Sequence, residues 1–272
     1  MARKQTGCLK PLPCGEELAA AVELNAAEWL CLQGRLPWVE FRDEGDALSV
    51  FAGDTYPRNT VALARFASAN ASRRVGEILQ RHLEQRVACN WVVGPVSQPV
   101  DFTRHLKAHG FSCRIHCAGM ACELDGLGET PPLPEGIRID LVDIPRPLVR
   151  LTTERRQRRH EGRTLMAGFA PRQVWHFSAM SGDLPVGETT LLGGATVAGI
   201  YDVEVREGYR RRGIGMALVH AALRHGRKLG YRAAVLGATG MGARMYARVG
   251  FQKVCTLSFW KYGKMRQLGV PR

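Results

Sequence analysis

Apolar and polar positions along the chain follow an order of elements that occurs twice. In the first half, "ALSVFA" (47–52) and "TVALARFA" (60–67) predict strands. "SANASRRVGEILQRHLEQ" (68–85) spaces its apolar residues as a helix does, and "CNWVVGP" (89–95) predicts a buried strand. A helix ending in Gly110-Phe111 follows. In the second half, "QVWHFSAMS" (173–181) and "VGETTLLGGATVAGIYDVEV" (186–205) predict strands around turns. "GMALVHAALRHGRKLG" (215–230) predicts a helix and "YRAAVLGA" (231–238) a strand, and a second helix then closes on Gly250-Phe251. Between the halves, the prolines and glycine of "PPLPEG" (131–136) forbid a helix and predict an extended linker.

The two halves also align residue by residue. "NWVVGPVSQPVDFTRHLKAHGF" (90–111) lies beside "AAVLGATGMGARMYARVGF" (233–251), so that Val92-Val93-Gly94 matches Val235-Leu236-Gly237 and Leu106 falls where Tyr246 stands. The predicted fold is therefore α/β with a mixed sheet, in two tandem lobes of residues 1–130 and 131–272.

Composition narrows the class. A chain of 272 residues can bury a sizeable core, and its 45% hydrophobic and 23% charged residues are those of a globular protein. No apolar run reaches the ~18–20 residues of a membrane-spanning helix. Acidic residues interrupt the alanines near the start before a signal-type apolar core can form, so an unprocessed, cytoplasmic protein is expected. Its eight cysteines are then expected to be reduced. Cys113, Cys117 and Cys122, with His116 among them, lack the second half of a zinc site, and no metal is expected. Burial of Cys113 and Ile115 in a strand explains the cluster instead.

The net charge of +13 is carried mostly by arginine. Its densest run, "RPLVRLTTERRQRRHEGR" (146–163), has Leu148, Leu151 and Glu154 at helical spacing and reads as an amphipathic helix with a solvated basic face.

Candidate chemistry concentrates in the second half. "YDVEV" runs directly into "REGYRRRGIGMALV", with a helix beginning at or near Gly213. A helix start leaves about four N–H groups without intrahelical partners and carries roughly half a positive charge. Gly213 and Gly215 let backbone approach a ligand, and Arg210, Arg211 and Arg212 add charge, so the turn suits a phosphate or pyrophosphate. Neither the P-loop pattern nor a complete Rossmann fingerprint is present. Nothing between Phe66 and Leu79 reproduces this turn, and Leu106 offers no proton, so the first lobe has the shape without the anion cradle. Asp202 and Glu204, two apart on a strand, are expected to project from one face.

R-x-x-G-x-G at Arg210, Gly213 and Gly215, after "YDVEV" and before Tyr246 and Gly250-Phe251, resembles the GCN5-related N-acetyltransferase (GNAT) superfamily over about residues 137–262. The resemblance implies a GNAT-like fold in tandem, with a degenerate first lobe shaping the acceptor cleft and a second lobe that catalyses. It implies that Val203 and Val205 lend main-chain groups to the pantetheine arm of acetyl-coenzyme A. By the same token Arg211, Arg212, Gly213, Ile214, Gly215 and Met216 line the phosphate site. Tyr246 corresponds to the proton donor to the leaving thiolate, and Asp202 or Glu204 is the candidate base, with His160, Glu161, His176 and Glu188 in reserve. The asparagine that many relatives carry before the closing helix is absent here, where Thr239 is the nearby hydroxyl. The implied reaction is acetyl transfer to an amine of a small molecule or protein.

Two other classes fit part of the same pattern. One is a basic RNA- or ribosome-binding protein with a vestigial cofactor site, resting on the arginine run but lacking an aromatic-and-basic stacking platform. The other is a sensor that binds coenzyme A without turnover.

Overall fold

The computed structural model describes residues 15–143, 148, 154–169 and 173–263. The first half forms α1 (Gly15–Gln33), β1 (Glu40–Asp43), β2 (Leu48–Phe51), β3 (Thr60–Ala62), α2 (Ala71–Glu84), β4 (Asn90–Val93), α3 (Phe102–Ala108) and β5 (Phe111–Glu123). The second half forms β6 (Ile137–Val142), α4 (Glu154–Phe169), β7 (Val174–Ser181), β8 (Leu184–Gly193) and β9 (Ala198–Val205), then α5 (Ile214–Lys228), β10 (Ala233–Ala238), α6 (Gly240–Val249) and β11 (Gln252–Tyr262). The strands join one 11-stranded mixed sheet in the order β1-β2-β3-β4-β11-β5-β10-β9-β8-β7-β6.

The order helix, strand, helix, strand of α2 to β5 is matched by α5 to β11, but the last strands are exchanged. β5 pairs with β10 of the second half, from Ala233↔Glu123 to Ala238↔Ala118. β11 pairs with β4 of the first, from Ser258↔Val93 to Lys261↔Asn90. In the middle β5 and β11 run antiparallel, from Gln252↔Ala121 to Tyr262↔Phe111. Each half thus completes the sheet of the other.

Side-chain alternation on these strands divides the core between two faces. Trp91, Phe66, Phe102 and Phe111 pack with Ile78 of α2 and Leu106 of α3, and Trp260 of β11 joins this first-half cluster. On the same face of the second half, Leu218, Leu223 and Ile214 of α5 pack on Leu191, Ile200, Ala234 and Leu236. The opposite face is covered by α1, whose Ala21 and Val22 meet Cys117, Val235 and Leu257, and by α4, whose Met166 meets Val174 and Leu192.

α1 is the element without a sequence-level prediction. Its buried set includes Glu23, Asn25 and Gln33 beside Val22, Leu30 and Leu32, so polar residues occupy inward positions and blur the helical period. Those polar residues dock the helix. Glu23 accepts bonds from Val96 N–H and Ser97 Oγ, both at 2.7 Å, in the first half. Asn25 Oδ1 accepts the Tyr201 hydroxyl at 2.8 Å and Glu28 accepts Ala195 N–H at 2.9 Å, both in the second. A Cβ on Gly199 would lie 1.8 Å from Asn25 Oδ1, so glycine is what lets α1 approach β9.

Three local expectations are corrected. The strand expected over 60–67 ends at Ala62, because Leu63 adopts φ +52° and Arg65 returns to the sheet through a single bridge to Gln98. Ile115 is in a strand but 42% exposed, since β5 crosses a cavity there, and Cys113 is half-buried. In the arginine run the helix is Glu154–Phe169, Leu148 lies before it in a bend, and Leu151 lies outside the described residues. No helix among the described residues is long and apolar enough to cross a membrane.

Strand exchange makes a test available. Residues 1–130 and 131–272 expressed separately should each lack cooperative thermal unfolding, whereas co-expression should yield a complex with a single transition. Two independently folded fragments, seen by calorimetry, would contradict that expectation.

Candidate active site

The sheet opens at one place. β9 pairs in parallel with β10 only at Ala198↔Ala234 and Gly199↔Val235, and beyond these residues the two strands separate. A cavity of 770 Å³ fills the wedge, within the range of small-molecule and cofactor sites. One wall is Ile200 to Val205 of β9, the other is Val235 to Gly237 of β10, and Val22 and Ala26 of α1 meet it as well. The candidates Asp202, Val203, Glu204 and Val205 all line it, as does Tyr246 of α6.

At the end of β9 the chain turns into α5. Arg211 has φ +59° and Gly213 φ +81°, so left-handed residues alternate with others through the turn. This is the geometry that gathers successive N–H groups into an anion-binding hollow. Gly213 is the N-cap of α5 and its positive φ explains the glycine. Among the described residues, the first α5 N–H group with a hydrogen bond is that of Ala217, to Gly213 O at 3.0 Å. The starting N–H groups are therefore open to a ligand. Gly215 lines the cavity, and a Cβ there would make ordinary van der Waals contact with Met245 Sδ at 3.4 Å and Val205 Cγ2 at 3.6 Å.

The neighbouring arginines divide their tasks. Arg211 lines the cavity. Arg210 lines it too, but its Nε donates to Val205 O at 3.0 Å, which ties the strand end to the turn and occupies that carbonyl. Arg212 sits over the Tyr209 ring at 5.4 Å. Ile214 is buried in the core and Met216 packs against it, so their side chains anchor the helix start and only their main-chain groups are available to a ligand.

Tyr246 packs edge-on to Phe251, with ring centroids 5.9 Å apart. Burial pushes its phenol up to about 12, so the proton is retained at neutral pH. Thr239, the N-cap of α6, also lines the cavity.

Asp202 and Glu204 do not follow the regular alternation expected of them. Glu188 pairs with Glu204 and Thr190 with Tyr201, so an extra residue bulges β9, and Asp202 takes φ +51°. The bulge still brings both carboxylates to one cation. Arg159 of α4 reaches Asp202 at 2.9 Å and Glu204 at 3.3 Å. One turn along, Arg163 is ion-paired with Glu188 and lies 3.8 Å from Asp202. Arg158 sits over Trp38 at 4.7 Å and meets Glu161 at 3.2 Å. Arg158, Arg159 and Arg163 of the run are thus engaged with carboxylates and a ring rather than lying on a solvated face; the side chains of its other arginines lie outside the described residues. The signal was present as Arg159 and Arg163 at i, i+4, but their partners lie far along the chain.

Arg163 and Glu188 are 4% and 5% exposed, so this is a desolvated pair. Burial raises the Glu188 carboxyl and pairing with Arg163 opposes the rise. His176, on β7, bonds Thr190 Oγ1 through Nδ1 at 2.8 Å, while its buried Nε2 has no partner among the described residues. Burial, helped by the charge of Arg163, lowers its pKa to about 4. Burial also lowers His160. Phe259 of β11 is a further residue lining this cavity without a sequence signal, and Trp29 stacks on the lining residue Tyr201 at 4.7 Å.

Comparison with known proteins finds one family model and several solved structures of similar fold. Residues 150–251 match the model of the acetyltransferase (GNAT) family. Among solved structures, a GCN5-related N-acetyltransferase from Kribbella flavida is similar at TM-score 0.65 and 16% identity, over 91% of this chain and 97% of that one. One from Sphaerobacter thermophilus is similar at TM-score 0.58 and 19% identity, over 93% and 94%. A tandem GNAT protein from the clavulanic acid biosynthesis pathway, solved without AcCoA, is similar at TM-score 0.63 and 15% identity, over 96% and 92%. No curated protein matches.

Two measurements check the electrostatics. Glu188→Gln strands the Arg163 guanidinium and should cost about 3 kcal/mol of stability in urea unfolding, while adding Arg163→Met should restore most of it. His176 is neutral when folded and ordinary when unfolded, so its stabilisation is complete above about 6.5 and falls as pH drops towards about 4. Wild-type stability should lose roughly 3 kcal/mol more than that of His176→Gln across this window. Parallel stability curves for the two proteins would remove His176 as the source.

Proposed function

We propose that this chain, whose residues 150–251 are a domain of the GNAT acetyltransferase family, is an acetyl-coenzyme A-dependent N-acyltransferase acting on an amine of a small molecule or protein. The observation that carries the reading is the wedge between β9 and β10, closed at one end by a turn with open N–H groups and lined at α6 by a protonated phenol. Its volume, the open space at Gly213 and the positive φ at Arg211 and Gly213 fit a long ligand with a diphosphate. N–H groups of 211–216 with the Arg211 guanidinium would hold the diphosphate, and main-chain groups around Val203 would hold the pantetheine arm. When bound, the thioester supplies an activated acyl carbon.

The chain's own residues then manage protons. Tyr246 would give the proton of Oη to the thiolate that leaves when an amine takes the acyl group. Tyr246 later recovers that proton from solvent. Glu204 is the carboxylate assigned to take the proton shed by the amine. Its side chain is 38% exposed against 20% for Asp202, and its contact with Arg159 is the longer one. Asp202 holds Arg159 and Arg163 at the bulge and is a positioning residue.

Tyr246→Phe should lower kcat about a hundredfold in a thiol-release assay while the calorimetric affinity for coenzyme A changes less than about twofold. Equal losses in both would move Tyr246 from proton donor to packing residue, and no heat on titration with coenzyme A would sink the enzyme reading itself.

A further inference from the structure

The wedge continues into a second cavity of 450 Å³. The two share Ala26, Tyr201, Thr239 and Phe259, and the second includes no residue of the Arg210–Gly215 turn. It lies between α1 and the strands β3, β4 and β5 of the first half and the exchanged strand β11 of the second. Trp29, Leu30, Val92, Ile115 and Phe259 give it an apolar wall, and the exposure of Ile115 is exposure to this space.

Its charge is one-sided. Arg58, Arg114 and Lys261 line it against one carboxylate, Glu23, which is turned to Val96 and Ser97. Among the described residues no carboxylate forms an ion pair with any of these three cations, and the buried Nε of Arg114 has no partner. Arg114 does donate one N–H to Gly263 O at 3.0 Å. Arg74, Arg159 and Arg163, by contrast, each hold two or more carboxylates nearby. Arg58 and Lys261 are exposed and mark the mouth, whereas Tyr201 and Thr239 mark the junction with the wedge.

We propose that this cavity receives the acceptor, a primary amine on an apolar, ring-sized body that also carries an anionic group, either carboxylate or phosphate. The amine end reaches the wedge past Tyr201 and Thr239, the body lies on Trp29 and Phe259, and the anion is held by Arg58, Arg114 and Lys261. This specifies the acceptor for the acyl transfer proposed above and rests on that reading.

The test is calorimetric titration of the coenzyme A-saturated protein with 4-(aminomethyl)benzoate, 4-(aminomethyl)phenylphosphonate and benzylamine. At least one anionic amine should bind about tenfold or more tightly than benzylamine, and the tighter of the two identifies the anion. Arg58→Ala/Lys261→Ala, which alters two exposed side chains, should reduce the advantage to about twofold or less and leave the coenzyme A titration unchanged. Equal affinity for the three amines, no binding by any, or an advantage that survives the double variant would overturn the proposal. Heat from coenzyme A with no anionic preference rejects the acceptor class alone; anionic preference without heat from coenzyme A rejects the transferase reading, and with it the acceptor role, leaving an anion-selective amine site.

Discussion

The antiparallel pairing of β5 with β11 is the constraint on which the rest of the molecule depends. Those strands are the last of their halves, and each lies between its counterpart and a strand of the opposite half. The sheet is therefore continuous from β1 to β6, and the two halves share main-chain hydrogen bonds as well as a surface. α1 repeats the link on one face, with Glu23 bonded to the first half and Asn25 and Glu28 to the second. Trp260 repeats it on the other, as a side chain from β11 packed in the aromatic core around Trp91.

Within that rigid frame, the opening between β9 and β10 is a local failure of pairing that the surrounding layers hold in place. β10 keeps its full register with β5, and β9 keeps most of its register with β8, so neither strand is free to close the gap. The bulge at Asp202 adds a second departure, at the point where Arg159 and Arg163 reach across from α4. Buried ion pairs gain little net stability over apolar packing. What Arg163 and Glu188 do supply is geometry, because a desolvated pair tolerates few alternative arrangements of α4 against β8 and β9.

The sequence makes the turn, the closing helix and the order of elements legible, because each depends on neighbours in the chain. Arg210, Gly213, Gly215 and Tyr246 stand at fixed spacing around one strand and two helices, and the chemistry they suggest can be read without long-range contacts. The exchange of β5 and β11 was not legible, since a strand's own alternation says nothing about which strand lies beside it. Asp202 shows the same limit on a smaller scale: period two places it with Glu204, but the bulge that sets its backbone depends on β8. α1 escaped notice because Glu23, Asn25 and Gln33 face inward to partners elsewhere in the chain. The roles of Arg159 and Arg163 were hidden for the related reason that their counter-charges lie on β8 and β9.

The exchange of last strands also governs the order in which the molecule can be assembled. As a nascent chain leaves the ribosome from its amino end, β4 has no neighbour on one side until residues 252–262 have been synthesised. The aromatic cluster around Trp91 likewise waits for Trp260. Half-by-half folding therefore cannot complete the sheet of either half, and the edge of β4 stays unpaired until the last strand has been made.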